Sequence, residues 1–346
     1  MNEIPLQKKY ISRNEFSYLE QYLSPELNPR GFDFREECLT LLQIITSSHQ
    51  IHLTSSCTSS LDLAALLSDL KPNDEVIMPS FTFSSTANAV ALRGAKPVFV
   101  DVKNDTLNID ENLIENALTH KTRAIIAVHY AGISCNMTSL LSLAKKYKLR
   151  IIEDAAQGLG ATYKGKHLGT MGDFGAISFH HTKNIHCGEG GAIISKKKSD
   201  HRRASLAIEK GTNRDDFING QVDKYKWVSL GSSCVLSNLQ IAFLFGQLER
   251  TTYVTQTRSS VWYSYHEKLK ELETAGCLTR PSIEPGASIN GHIYYVRLAS
   301  RFNRACVINS LKCEGINVLS HYEPLHCSPA GIKFGRISGK LDITKD

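Results

Sequence analysis

The run His180–Gly191, HHTKNIHCGEGG, gathers three histidines, a cysteine, a glutamate and a lysine ahead of two adjacent glycines. It could ligate a metal, cradle a phosphate or seat a reactive amine. A metal site is disfavoured: His180 and His181 would face opposite ways on a strand, and His186 and Cys187 lack the usual ligand spacing. A P-loop needs its glycines before a Lys-Ser/Thr pair at a helix start, whereas Lys183 precedes the glycines. What remains is a lysine after a buried strand, with Gly188, Gly190 and Gly191 letting the backbone run close to a ligand. Such an amine can lose its proton near neutral pH and form a Schiff base. The plain alternative is an exposed loop lysine.

Two further stretches bear on that choice. In TSSCTSSL (54–61) small hydroxyl residues stand where a strand gives way to a helix, so Ser56, Cys57 and Thr58 could point amides and hydroxyls at a phosphate. Ordinary helix capping would use the same residues. In IIEDAAQ (151–157) Asp154 ends an apolar strand, and a buried acid there calls for a partner such as a protonated heteroaromatic nitrogen. None of the three features is specific alone. A phosphate cup, an acid and a lysine in this order match what pyridoxal phosphate requires: an anchor, a carboxylate on its ring nitrogen and an amine for its aldehyde.

The elements that must position these residues read as an α/β domain. From residue 51, short β-branched runs (51–54, 75–81, 96–102, 123–130, 149–156) alternate with amphipathic stretches (58–70, 84–94, 112–120, 137–148), which predicts a largely parallel sheet flanked by helices. GAISFHH and GGAIISKK read as strands flanking the lysine run. Residues 237–272 read as one long helical region leading to a second unit from about residue 275, with a helix near 303–313.

The chain has 346 residues, 42% apolar content and a formal charge of +6, ordinary for a globular protein able to hold an anionic small molecule. No basic helix or aromatic-and-basic module suggests nucleic acid. Nine scattered cysteines without a C-x-x-C pair argue against a disulfide framework or structural zinc. No apolar run approaches the roughly 18 residues of a membrane span, and the first ten residues lack the apolar core of a signal peptide. The expectation is a reduced, cytoplasmic, soluble protein with no membrane and no nucleic-acid partner.

With these residues in view, the sequence resembles the nucleotide-sugar aminotransferases of the DegT/StrS family. The likeness runs over about 50–335 and is dense in SCTSSLDLAALL, EDAAQG, SFHHTKN, GEGGA and HYEPLH. KGTNR (210–214) and QVDKY (221–225) point to its dideoxygalactose branch. The resemblance implies a fold type I transferase: a large domain (1–250) with a mostly parallel seven-stranded sheet, and a smaller α+β domain (251–346). It implies that Lys183 forms the Schiff base with pyridoxal 5'-phosphate and shuttles the proton, that Asp154 pairs with the ring nitrogen, and that Gln157 lies near the ring hydroxyl. Phe83 would stack on the ring, while Cys57, Thr58 and Ser178 would bind the phosphate. Lys224, His321 and Tyr322 are implied on the substrate side, with no metal. Such sites form at a homodimer interface, part of 220–233 reaching into the partner's pocket.

The implied reaction takes an amino group from glutamate to the C4 ketone of dTDP-4-keto-6-deoxy-D-glucose. Its product would be dTDP-4-amino-4,6-dideoxy-D-galactose, for surface polysaccharide such as O-antigen, the carbohydrate of lipopolysaccharide, or enterobacterial common antigen. The gluco epimer or another keto-sugar nucleotide is the alternative within the family. Relatives extend roughly thirty residues further, so an incomplete small domain and an inactive or non-catalytic homologue are also expected readings. Sugar dehydratases of the family carry histidine in place of the lysine, and Lys183 stands against that reading.

Overall fold

The computed structural model describes residues 3–28 and 31–345. Its central sheet contains β1 (Ile51–Thr54), β2 (Glu75–Pro79), β3 (Lys96–Val100), β4 (Thr122–Val128), β5 (Arg150–Asp154), β6 (Phe174–Ser178), β7 (Gly191–Ser195) and β8 (Arg336–Ile337). The spatial order is β1-β7-β6-β5-β4-β2-β3-β8. Only β7 runs antiparallel to its neighbours, β1 and β6. Both faces are covered, which is why the strands read as unbroken apolar runs. Along β4, Ala124 and Ile126 enter one core layer, while Ile125 and Ala127 enter the layer on the opposite face.

Among the described residues the longer helices are α1 (Asn14–Leu23), α2 (Phe34–Thr46), α3 (Cys57–Leu67), α4 (Ser84–Ala91), α5 (Met137–Tyr147), α6 (Lys198–Ile208), α7 (Asn238–Leu248), α8 (Thr251–Lys268) and α9 (Arg304–Cys313). Shorter helical turns lie between them. α3 packs Leu61, Ala64 and Ala65 with Phe174 and Ala176 of β6. On the other face α5 contributes Met137, Leu140 and Ala144. The start of α5 is fixed by Asn136, whose Oδ1 accepts from the Ser139 amide at 3.1 Å. α2 and α7 enclose β1 and β7 in a third cluster.

Two expectations change. The sheet has eight strands rather than seven, because Arg336–Ile337 returns to pair with Val98 and Phe99 of β3. Two residues give no periodicity to read. They close an otherwise open sheet edge, and Arg336 clamps Glu75 with Nε–Oε1 at 2.8 Å and Nη2–Oε2 at 2.7 Å. The long helical region is broken: buried α7 ends at Leu248, largely exposed α8 runs from Thr251 to Lys268, and a short helix follows at Lys270–Thr274. α1 and α2 went unread, although Phe34, Cys38 and Leu42 recur every fourth residue and are buried. Among the described residues no helix is long and apolar enough to cross a membrane. All nine cysteines are free thiols.

Candidate functional site

The carboxyl ends of β1, β5 and β6 converge, where ligands of open α/β sheets bind. Beyond β1 the chain turns at Ser56 into α3, and Ser56 caps that helix by accepting the Ser59 amide on Oγ at 3.0 Å. The Ser60 amide is taken by the Ser56 carbonyl at 3.1 Å. That leaves the Cys57 and Thr58 amides without an acceptor among the described residues, at the positive end of the helix dipole. This is a ready seat for an anion. The Thr58 hydroxyl lies beside it, 2.8 Å from Ser85 Oγ.

One glycine of the cluster serves this cup. Gly191 begins β7 opposite Ser178, and a Cβ there would come 2.5 Å from the Cys57 nitrogen. Gly190 makes room for the Cys187 sulfur, and Gly188 supplies a turn at φ +85° with open space around it. Of the three glycines expected to make room beside the lysine, Gly191 is the one that borders the α3 N-terminus. Gly191→Ala is expected to cost about 1–3 kcal/mol through overpacking and to weaken phosphate-cofactor binding. Thermal melting and a cofactor titration of the variant check both.

Asp154, the last residue of β5, is 6% exposed. Its Oδ2 accepts the Thr86 hydroxyl at 2.7 Å and Oδ1 the Ala156 amide at 3.2 Å. Thr82 Oγ1 backs Thr86 at 2.9 Å. The carboxylate is therefore held in place while retaining lone pairs for a further cationic donor. Its neighbour Glu153 points the other way, onto His129 at 3.0 Å and the amides of Gly169, Met171 and Gly172, which stiffens the strand end.

Lys183 is partly buried, and its Nζ has no hydrogen-bond or ion-pair partner among the described residues. Burial pushes its pKa below the ordinary lysine value, while Cys57 and Asp154 pull it back up. The same field reaches His321, which burial and then Lys183 hold below the usual histidine value. Burial and then the Asp154 charge push Tyr322 up to about 12. The structure thus brings Lys183, Asp154, Cys57, His321 and Tyr322 into one electrostatic neighbourhood.

Gln157 bridges two elements: Oε1 accepts the Ala131 amide, and Nε2 donates to the Tyr322 hydroxyl at 3.2 Å. Tyr322 stacks on His321 with centroids 4.6 Å apart and faces Phe83 at 6.4 Å. Phe83 is 60% exposed, an open aromatic face at the start of α4. Ser178 is buried at the end of β6, its Oγ accepting the His180 amide at 3.3 Å. Lys224 is not gathered in; it is exposed, without hydrogen bond or ion pair among the described residues. Sequence reasoning missed Thr86 and Tyr130. Thr86 could have been found four residues after Thr82, one turn into a helix facing the strand ends. Tyr130 reaches His321 Nδ1 at 3.3 Å only through the fold.

His180 and His181 do not point apart on a strand. β6 ends at Ser178, so His180 and His181 lie in a loop, their rings 4.0 Å apart. Together with Glu189 they place ligand atoms within 4.8 Å of one another. His180 pairs with Glu189 at 3.3 Å. Burial holds His180 below the usual histidine value, opposed by Glu189 and reinforced by His181, Lys183 and Lys9.

Comparison with known proteins agrees with this geometry. The model of the DegT/DnrJ/EryC1/StrS aminotransferase family matches residues 39–345. An uncharacterized protein of Methanocaldococcus jannaschii, MJ1066, is 36% identical over 309 residues, covering 88% of this chain and 78% of that protein. The S. venezuelae DesV structure, solved with a ketimine intermediate, superposes with a TM-score of 0.85 at 27% identity, covering 100% of this chain and 91% of that one. Spr1654 of Streptococcus pneumoniae, described as a sugar aminotransferase, gives a TM-score of 0.86 at 25% identity over 96% and 87% of the two chains. These likenesses place the sheet and its flanking helices in the aminotransferase fold. The chain belongs to the DegT/DnrJ/EryC1/StrS aminotransferase family, whose enzymes transfer amino groups with pyridoxal phosphate as cofactor.

Proposed function

We propose that this aminotransferase moves an amino group from glutamate to the C4 ketone of dTDP-4-keto-6-deoxy-D-glucose, giving dTDP-4-amino-4,6-dideoxy-D-galactose for surface polysaccharide synthesis. The observation that carries the reading is the unpaired, partly buried Lys183 in the shared field of Asp154 and the α3 N-terminus. The residues fit pyridoxal 5'-phosphate: two free amides for an anion, a buried carboxylate with spare lone pairs, and an amine depressed in pKa. When bound, the cofactor supplies the electron sink that stabilises a carbanion beside the amine nitrogen.

The chain's own residues do the rest. The Cys57 and Thr58 amides, with Ser178, hold the phosphate. Asp154 keeps a ring nitrogen protonated, and Phe83 covers the ring face. Gln157, already bonded to Ala131 and Tyr322, positions the loop beside the ring hydroxyl. Lys183 Nζ takes the proton from Cα of the amino donor and, in the second half-reaction, delivers a proton to C4 of the acceptor. One base serves both halves. His321 and Tyr322 form an aromatic wall for the sugar.

The segment 217–230 leaves Phe217, Ile218, Tyr225, Trp227, Val228 and Leu230 exposed, Trp227 at 75%. Apolar exposure on this scale suits cover by a second copy of the chain. In such a homodimer Lys224 would be free to meet the nucleotide's phosphates. The free thiols suit the reduced cytoplasm.

Only a neutral amine attacks an aldehyde. Cofactor uptake by the apo protein is therefore expected to rise with pH through a midpoint below the ordinary lysine value of about 10.4. Because the folded value lies below the unfolded one, protonated Lys183 costs the apo fold stability, a cost relieved as pH rises through the folded midpoint. Stopped-flow uptake between pH 6 and 10 measures the midpoint. The substrate assignment is tested by NMR of the product: an axial C4 amine supports the galacto sugar, and an equatorial amine overturns it.

A further inference from the structure

The residue after the reactive lysine leads to a network outside the site described so far. Asn184 is buried, and its Nδ2 donates to the Asn290 carbonyl at 2.9 Å. A carbonyl can only accept, so this bond fixes the amide orientation and leaves Oδ1 facing His292 Nδ1 at 3.0 Å. An amide oxygen also only accepts, so His292 carries its proton on Nδ1. Burial, followed by the charges of Lys183, Arg258 and His321, keeps that imidazole neutral.

Asn290 ties the same segment to the other half of the site. Its Nδ2 donates to the carbonyls of Gln157 at 2.7 Å and Leu159 at 2.8 Å, and its Oδ1 accepts the His292 amide at 3.0 Å. The fit is tight, since a Cβ on Gly132 would lie 2.1 Å from Asn290 Oδ1. Residues 289–293 are stapled in turn to α8: Arg258 donates to the carbonyls of Gly291 and His292, Ser259 to Ile289 and Trp262 to Ile293.

We propose that Asn290 and His292 are positioning residues, which act through Asn184 to hold the Lys183 loop against the Asp154–Gln157 loop. One segment, anchored on α8, thereby fixes the amine and the loop that follows the carboxylate relative to each other. The network rests on the reading of Lys183 as the reactive amine, but not on the sugar or the donor. Without it the lysine loop would open to water, and an amine depressed chiefly by burial would return toward its ordinary value.

The test uses the full apo protein, so it is independent of turnover. Lys183 is acetylated competitively with acetic anhydride across pH and read by peptide mass spectrometry. The groups sharing its field are Cys57, Asp154, His180, His292 and His321, and none of them is changed in Asn184→Ala. His292→Ala and Asn184→Ala are each expected to raise the Lys183 midpoint by about one pH unit or more. His292→Asn, whose amide can replace the Nδ1 donor, should stay near wild type. The double Ala variant should shift no further than either single one, since both cut the same bridge. A midpoint unchanged in folded Asn184→Ala, or additive shifts in the double variant, would overturn the proposal.

Discussion

Lys183→Ala is expected to lower amino transfer by at least about 10³-fold, because the variant loses the only group assigned to move the proton in both half-reactions. The position leaves no substitute. Nζ has no partner among the described residues, and its basicity is lowered by burial more than Cys57 and Asp154 restore it. His180 and His181 stand close by but lie on the loop before the lysine, in a cluster with Glu189. The fold should survive, since removing an unpaired, partly buried amine deletes no hydrogen bond; circular dichroism should be unchanged. An absorbance band near the visible edge is expected of the wild-type protein loaded with cofactor and should be absent from the variant. A folded variant keeping a tenth of wild-type activity would remove Lys183 from the mechanism.

Asp154→Asn should act differently. The substitution keeps size and shape but removes the charge that holds a ring nitrogen protonated. Losing a charge-assisted hydrogen bond of up to about 3 kcal/mol corresponds to roughly 10² in rate. Cofactor uptake should persist, because the α3 amides and Lys183 are untouched. There is a second readout with a defined sign. Asp154 raises the Lys183 pKa, so its neutralisation should move the amine's midpoint further down. A rate within threefold of wild type, or a midpoint moving up, would show that the carboxylate does not face the reacting centre.

Much of this site could be read before the fold. Asp154 closes the short buried strand β5 and Lys183 comes five residues after buried β6, and β-branched runs buried on both faces are a strong signal of a parallel sheet in a sequence. The α3 cup was legible because its capping serine sits between a strand and a helical period. What stayed hidden depends on long-range closure. Arg336–Ile337 is too short to show a period, yet it seals the edge beside β3. Asn290 and His292 are polar residues without regular spacing, and only the return of their segment onto α8 brings them to Asn184. The histidine pair misled because strand alternation was extended past Ser178, where β6 stops and the loop begins.

In the proposed reaction this chain carries nitrogen from an amino acid to a keto-sugar nucleotide through Lys183. The most direct measurement uses ¹⁵N-labelled glutamate and dTDP-4-keto-6-deoxy-D-glucose with the cofactor-loaded protein, followed by mass spectrometry of the nucleotide sugar. An amino sugar bearing the label is expected with wild type and none with Lys183→Ala. An unlabelled or absent amino sugar from wild-type protein that has taken up its cofactor would contradict it.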